Sequence, residues 1–146
     1  FLPGELLSAT GLEFNYTYSQ SESNNIDIEG DALPLPSNSK HQTNLILWYD
    51  RDGINLRLAY NWRSAEYKDR VGLNTNAASL NLGNWVEPTG YLDFSANYWV
   101  NDHLEFSFNG ANLTGENRRS YAQLTDQFQS LWVQERRYTL GMTVKL

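Results

Sequence analysis

The chain has no cysteine. That excludes disulfides, thiol catalysis and cysteine-ligated metal. No apolar run approaches the roughly 18 residues of a membrane helix, although 40% of the residues are hydrophobic. Positive charge is in short supply. There are 11 Lys and Arg against 17 Asp and Glu, a net charge of −6 and a pI near 4.8. Binding to a nucleic-acid phosphate backbone is therefore not expected. No Gly-rich phosphate loop and no metal-ligand spacing occur, so neither a cofactor nor a metal is expected. Phe1 to Thr10 has no basic start and contains Pro3 and Gly4. It reads as an incoming turn and not as a secretory leader.

What the chain has is aromatic side chains, 14% of the total, with nine Tyr and five Trp. Asn is abundant and helix-favouring runs are scarce, which points to β structure. A length of 146 residues is one domain's worth. The last stretch, Val133 to Leu146, sets the pattern. Tyr138, Leu140, Met142, Val144 and Leu146 alternate with Arg137, Thr139, Gly141, Thr143 and Lys145. Period-two alternation predicts a strand with one apolar and one polar face, running to the final residue. An open edge at a chain end is a liability in a soluble sheet and normal where the strand closes a barrel.

Five more strands are expected upstream. Leu12, Phe14, Tyr16 and Tyr18 mark the first, and Lys40 to Tyr49 the second. Asp50-Arg51-Asp52-Gly53 is a tight hairpin turn with the Asp-Gly signal. The third strand alternates Ile54, Leu56, Leu58, Tyr60 and Trp62 with Asn55, Arg57, Ala59, Asn61 and Arg63. The fourth carries Leu92, Phe94, Ala96 and Tyr98, and the fifth Leu104, Phe106 and Phe108. Asn101-Asp102 turns between them. Gln20 to Ser39, Ser64 to Thr89 and Leu113 to Leu131 read as long polar loops.

The connections thus run long, short, long, short, long. Outer-membrane barrels have this rhythm, with short periplasmic turns and long extracellular loops. Aromatics near strand ends suit interfacial girdles. The large hydrogen-bonding faces suit a wet lumen, and no strand has the lysine-guarded edge of a soluble sheet. The expected fold is all-β: an antiparallel transmembrane β-barrel segment of about six up-and-down strands. Six strands cannot close a membrane barrel, which starts at about eight, and lipid forbids open edges. The missing strands are expected to precede Phe1. The alternatives are a soluble β-barrel or sandwich binding a small apolar ligand, and a smaller outer-membrane porin or enzyme.

Four stretches carry a family resemblance: GLEFNYTYSQSES, the block from LPLPSNSK to NWRS, the block from GYLDFSANYW to NRRSY, and RRYTLGMTVKL. The most specific is Asn109 to Glu116, NGANLTGE. Over nearly its whole length the chain resembles the C-terminal third or so of TonB-dependent outer-membrane receptors. The resemblance implies a parent barrel of about twenty-two strands in the outer membrane of a Gram-negative bacterium. A plug domain would fill it, and a TonB box would contact the TonB complex; both are absent from this sequence. It implies uptake of a scarce nutrient, a carbohydrate or siderophore, with no enzymatic activity. Partners would be outer-membrane lipid, the other strands and plug, and the barrel-assembly machinery. That machinery would read Tyr138, Leu140, Met142, Val144 and Leu146. The family usually ends in an aromatic, so Leu146 departs from it.

Candidate ligand contacts are the loop aromatics Trp85, Tyr121 and Tyr67, with Phe128 and Trp132 beside them, and the lumen arginines Arg63 and Arg57. The aromatics can stack on sugars or instead pack loop on loop. The arginines can contact anions or sugars; pairing with acids such as Asp93 or Glu105, or with a plug, is the favoured alternative. Asp27, Glu29 and Asp31 could hold Ca²⁺ but read as a solvated loop. His41 and His103 are expected at opposite rims, so a shared catalytic site is not expected.

Overall fold

The computed structural model describes residues 7–71 and 82–146. The expected Pro3-Gly4 turn and part of the second long segment lie outside the described residues. After a 3₁₀ turn at Leu7–Ala9, ten strands follow. They are β1 Thr10–Tyr18, β2 His41–Arg51, β3 Ile54–Arg63, β4 Glu66–Arg70, β5 Gly83–Val86, β6 Thr89–Asn101, β7 Leu104–Ala111, β8 Arg118–Ala122, β9 Phe128–Trp132 and β10 Arg137–Val144. All pairings are antiparallel.

The six strands expected from alternation form one sheet, in the order β1-β2-β3-β6-β7-β10. Its register keeps the alternation in phase. Leu12 faces Leu47, Leu47 faces Leu58, Leu58 faces Phe94, and Phe94 faces Gly110, which faces Tyr138. One face is therefore mainly apolar across the sheet and the other mainly polar, with Ile46, Trp48 and Trp99 as apolar exceptions on the polar side. The sheet is open, because β1 and β10 are its two edges and do not pair with each other.

The two short turns form where expected. Arg51 pairs with Ile54, leaving Asp52 and Gly53 as a two-residue loop. Both have positive φ, 53° and 76°, the backbone of a type I′ turn that matches strand twist. The other turn is Asp102-His103, one residue later than read, because Asn101 pairs with Leu104.

Two expectations are corrected. The last strand ends at Val144, not Leu146, and begins at Arg137. The backbone ahead of it is diverted, since the Gln134 N–H donates to Asn117 Oδ1 at 3.0 Å. The second and third long segments are also not loops throughout. They contain β4, β5, β8 and β9, a second sheet in that order. This order repeats β3-β6-β7-β10, because each short strand continues or precedes a long one. These four strands are only four or five residues long, too short and too mixed in polarity to show alternation.

The core lies in this second sheet. Leu33, Tyr67, Val86, Tyr121 and Ala122 are buried there. The first long loop supplies Leu33 and is laced to the sheet. Ser37 N–H donates to the Tyr67 carbonyl at 2.8 Å, and Arg70 Nη2 to Asn25 Oδ1 at 2.9 Å. The large sheet is different. Its apolar face carries Leu12, Phe14, Phe106, Leu140 and Met142 in the open, with Leu140 79% exposed.

Gly53 tests the hairpin geometry. A Cβ there would lie 2.8 Å from the Trp99 carbonyl oxygen at a φ of 76°. Gly53→Ala is expected to destabilise the sheet by about 1–2 kcal/mol, read as a lower urea midpoint. An unchanged midpoint would contradict this turn.

Candidate functional site

The functional groups gather where the two sheets meet on the polar face. Asn112 organises that junction. It is 8% exposed and sits at φ 55°. Its backbone N–H donates to Asp93 Oδ1 at 2.8 Å. Its Nδ2 donates to the carbonyls of Glu116 and Gln134, both at 3.0 Å. Its Oδ1 accepts from Glu116 N at 2.9 Å and Thr114 Oγ1 at 3.2 Å. One side chain thus ties the β7–β8 crossing to the β9–β10 crossing. Thr114 Oγ1 also donates to the Gly90 carbonyl at 2.9 Å. Gly115, at φ 67°, lies under the Arg136 guanidinium, 2.8 Å from where a Cβ would stand. The NGANLTGE stretch is therefore a joint between sheets.

Beside it lies a charged hub. Glu66 is 3% exposed, accepts from Lys68 Nζ at 2.7 Å and Arg118 Nη2 at 3.2 Å, and forms an ion pair with Arg63 Nη1 at 3.5 Å. Burial pushes its carboxyl up. The Lys68 hydrogen bond and the charges of Lys68, Arg118 and Arg63 outweigh this and hold it below its usual 4.5. Arg119 pairs with Glu87 nearby. A small cavity of about 100 Å³ opens here, lined by Asn61, Arg63, Glu66, Tyr91 and Arg118 among others. Tyr91 also lines a cleft of about 440 Å³ with Asp93, Asn112, Gln134, Glu135 and Arg137. Asp93 and Arg137 continue into a third, of about 390 Å³, with Arg57, Ser95, Asn109 and Thr139. The three make one polar trough running down the sheet.

The candidate ligand residues separate accordingly. Arg57 lines the trough, and no carboxylate pairs with it among the described residues. Arg63 is held by Glu66, neither Asp93 nor Glu105 being its partner. Tyr67 and Trp85 meet edge to face at 5.5 Å, and Trp85 lies opposite Tyr121. Tyr67 and Tyr121 are buried, and burial with the nearby Glu87 charge pushes the Tyr121 phenol above 10.0. These rings pack loop on loop, and a ligand would have to open the small core to reach them. Phe128 and Trp132 are exposed on β9, with Arg119 and Arg118 over their rings at 5.8 and 5.5 Å.

Tyr138, Leu140, Met142 and Val144 stand on the open edge strand, and Leu146 lies beyond it. His41 Nδ1 and the Tyr16 hydroxyl lie 2.7 Å apart at one end of the sheet. His103 Nδ1 donates to the Lys145 carbonyl at 3.1 Å at the other. Asp27, Glu29 and Asp31 do converge, with carboxylate oxygens within 4.8 Å of one another. Yet Asp27 Oδ1 accepts from the Glu29 and Asp31 N–H groups, and Oδ2 from Gln123. The Gln123 hydrogen bond is the main cause that lowers its carboxyl. Sequence reasoning missed Asn112, Glu66, Arg118 and Arg137. Only the NGANLTGE resemblance pointed toward any of them.

No family model, curated protein or solved structure matches this chain.

Asn112→Ala is expected to loosen the junction by about 2–3 kcal/mol, through unpaired buried partners and the left-handed backbone. Asn112→Gly should recover the backbone part, about 1 kcal/mol. Equal urea midpoints for both variants would remove the backbone argument. The Glu66 hub gives a pH dependence. A depressed carboxyl contributes stability above its unfolded value, and loses it as pH falls below about 4.5. Amide exchange in 66–70 and 118–122 should rise below that pH ahead of the six-stranded sheet. Glu66→Gln should abolish the step; persistence of the step would place it elsewhere.

Proposed function

We propose that this chain is the C-terminal barrel segment of a TonB-dependent outer-membrane receptor. In this reading the apolar face meets lipid and the polar face lines the lumen. The second sheet and first long loop form the extracellular mouth. The part does no enzymatic chemistry. It serves uptake of a scarce nutrient, a carbohydrate or siderophore, together with further strands, a plug and the TonB complex.

The observation that carries the reading is the slant of the apolar band. On β1 the band runs Leu12 to Tyr18, centred on Asn15; on β10 it runs Tyr138 to Val144, centred on Gly141. Gly141 leads across the ladder through Ser107, Asn97, Asn55 and Asp50 to a level one residue beyond the Thr10–Tyr49 pair, six residues from Asn15. The band therefore slips six residues along the strands over five pairings. That is about 20 Å along against about 24 Å across. A flat apolar layer crossing this sheet would meet strands tilted by about 40°, the tilt of barrel strands. A sheet packed on a second sheet needs no such slant.

Two further features support it. On the apolar face, Tyr16, Tyr18, Tyr60 and Trp62 stand toward the long-loop end, and Tyr49 and Tyr98 toward the short-turn end. That is the girdle arrangement. The chain also offers its two open edges where lipid requires more strands. The NGANLTGE joint and the RRYTLGMTVKL strand carry the family resemblance, and the Leu146 terminus departs from it.

Refolding with and without detergent micelles tests the reading. β-sheet signal and heat-modifiable gel mobility are expected only with detergent or with added N-terminal strands. A folded monomer in water would overturn it in favour of a soluble β domain. Leu58→Arg and Leu140→Arg are each expected to block insertion, at a cost of about 2–4 kcal/mol at mid-bilayer. Normal insertion of both would reverse the assigned orientation.

A further inference from the structure

The first long loop, Gln20 to Ser39, carries a surface that the fold does not consume. Its middle is a small hairpin. Ile26 bridges to Ala32, the Leu33 N–H donates to the Asn25 carbonyl at 2.8 Å, and the Asp27 N–H to the Asp31 carbonyl at 2.9 Å. The polarity of this hairpin is inverted. Asp27 turns toward the second sheet, where Gln123 Nε2 donates to its Oδ2 at 2.8 Å. Its neighbours Ile26 and Ile28 therefore turn away, and they are 52% and 51% exposed. One exposed isoleucine needs no explanation. Two on one face of a hairpin that Asp27 caps at Glu29 and Asp31 leave a fixed apolar surface in water. The loop also holds Glu22, Asp27, Glu29 and Asp31, and no lysine or arginine. None of the four makes an ion pair among the described residues. The cations at its margins are Arg70, whose Nη2 donates to Asn25 Oδ1, and Lys40, over the Tyr18 ring at 5.7 Å. Counting Asp69 and Asp126 on the adjoining segments, six carboxylates stand against these two.

We propose that this hairpin docks a basic amphipathic polypeptide, one that presents lysine or arginine beside leucine, isoleucine or valine. The proposal goes beyond the receptor reading and does not need it. The hairpin is tied to the second sheet through Gln123, so its exposure does not depend on what covers the large one. Ile26 and Ile28 form the apolar centre of the contact, with Glu29 and Asp31 as its charged rim, the layout of protein interfaces. Charge complementarity sets the sign of the partner: a basic segment is steered in and an acidic one is repelled. A bare metal ion fits less well. Both Asp27 oxygens already accept hydrogen bonds, and an ion leaves the isoleucines in water. A neutral solute leaves the carboxylates unanswered.

The test is fluorescence anisotropy of a dye-labelled peptide of alternating lysine and leucine, titrated with the 146-residue chain. The medium is whichever of buffer or uncharged micelles gives the chain a β-sheet signal, with empty micelles as the blank. Peptides of the same length made of lysine and serine, and of glutamate and leucine, serve as comparisons. The lysine–leucine peptide is expected to bind at least about tenfold tighter than either. Ile26→Ser with Ile28→Ser should weaken it by about tenfold. Glu29→Gln with Asp31→Asn should weaken it and flatten its salt dependence, the β signal staying intact in both variants. Asp102→Asn, at the short-turn end, should change nothing. Equal binding of the lysine–leucine and lysine–serine peptides, unchanged binding by the isoleucine variant, or no binding by a folded chain overturns the proposal. So does Ca²⁺ binding that is tighter than the peptide's and lost in the Glu29→Gln, Asp31→Asn variant, which would make the hairpin a cation site. Whether buffer or micelles fold the chain decides the receptor reading separately, so the two failures are distinguishable.

Discussion

Everything in this molecule depends on phase. A strand has a side-chain period of two, so a slip of one residue in any pairing would turn that strand's apolar set to the opposite face. Five pairings in series hold the phase here, and four of them have a device that resists slipping. The Asp52-Gly53 turn fixes β2 against β3. The indole of Trp48 lies over Gly11 across the β1–β2 pair, leaving no room for a Cβ. Ser107 similarly fills the space over Gly141 between β7 and β10. A bulge between Trp99 and Asn101 absorbs an odd residue before the second tight turn. The apolar face survives across six strands because these local contacts agree.

The second constraint sits at the junction of the two sheets. A strand that leaves one sheet and enters another must satisfy its backbone groups at the break. At the β7–β8 break the solution is polar. Asn112 spends all of its amide's capacity on neighbouring backbone and on Thr114. At the β3–β4 break it is ionic, with Glu66 drawing in three cations.

The six long strands were legible because each has three or more alternating apolar positions. Ile54 to Arg63 could be read without any structure. The short strands were not. Glu66–Arg70 contains four charged residues and one Tyr, a composition that reads as solvated loop, yet its Glu66 and Tyr67 are among the most buried residues. Their burial comes from the first long loop folding over them, a tertiary contact that periodicity cannot report. The site was half legible. Arg57 followed from parity alone, but its freedom from an ion pair did not, because which acid meets which base depends on partners far along the chain. Arg137 was seen only as the polar side of the terminal strand.

The two turns of two residues also set an order of assembly. Closing a loop costs more entropy as it lengthens. The β2–β3 and β6–β7 hairpins close over Asp52-Gly53 and Asp102-His103 and so are the cheapest pairs to form, on a microsecond scale for isolated hairpins. Joining them requires β3 to find β6 across a long excursion, and the β4–β5 pair shortens that search by zipping the excursion onto itself. The edge strands have no such help: β1 meets β2 and β10 meets β7 only after long segments have folded. The sheet should therefore grow outward from its centre, leaving its two unpaired margins as the last surfaces to be made.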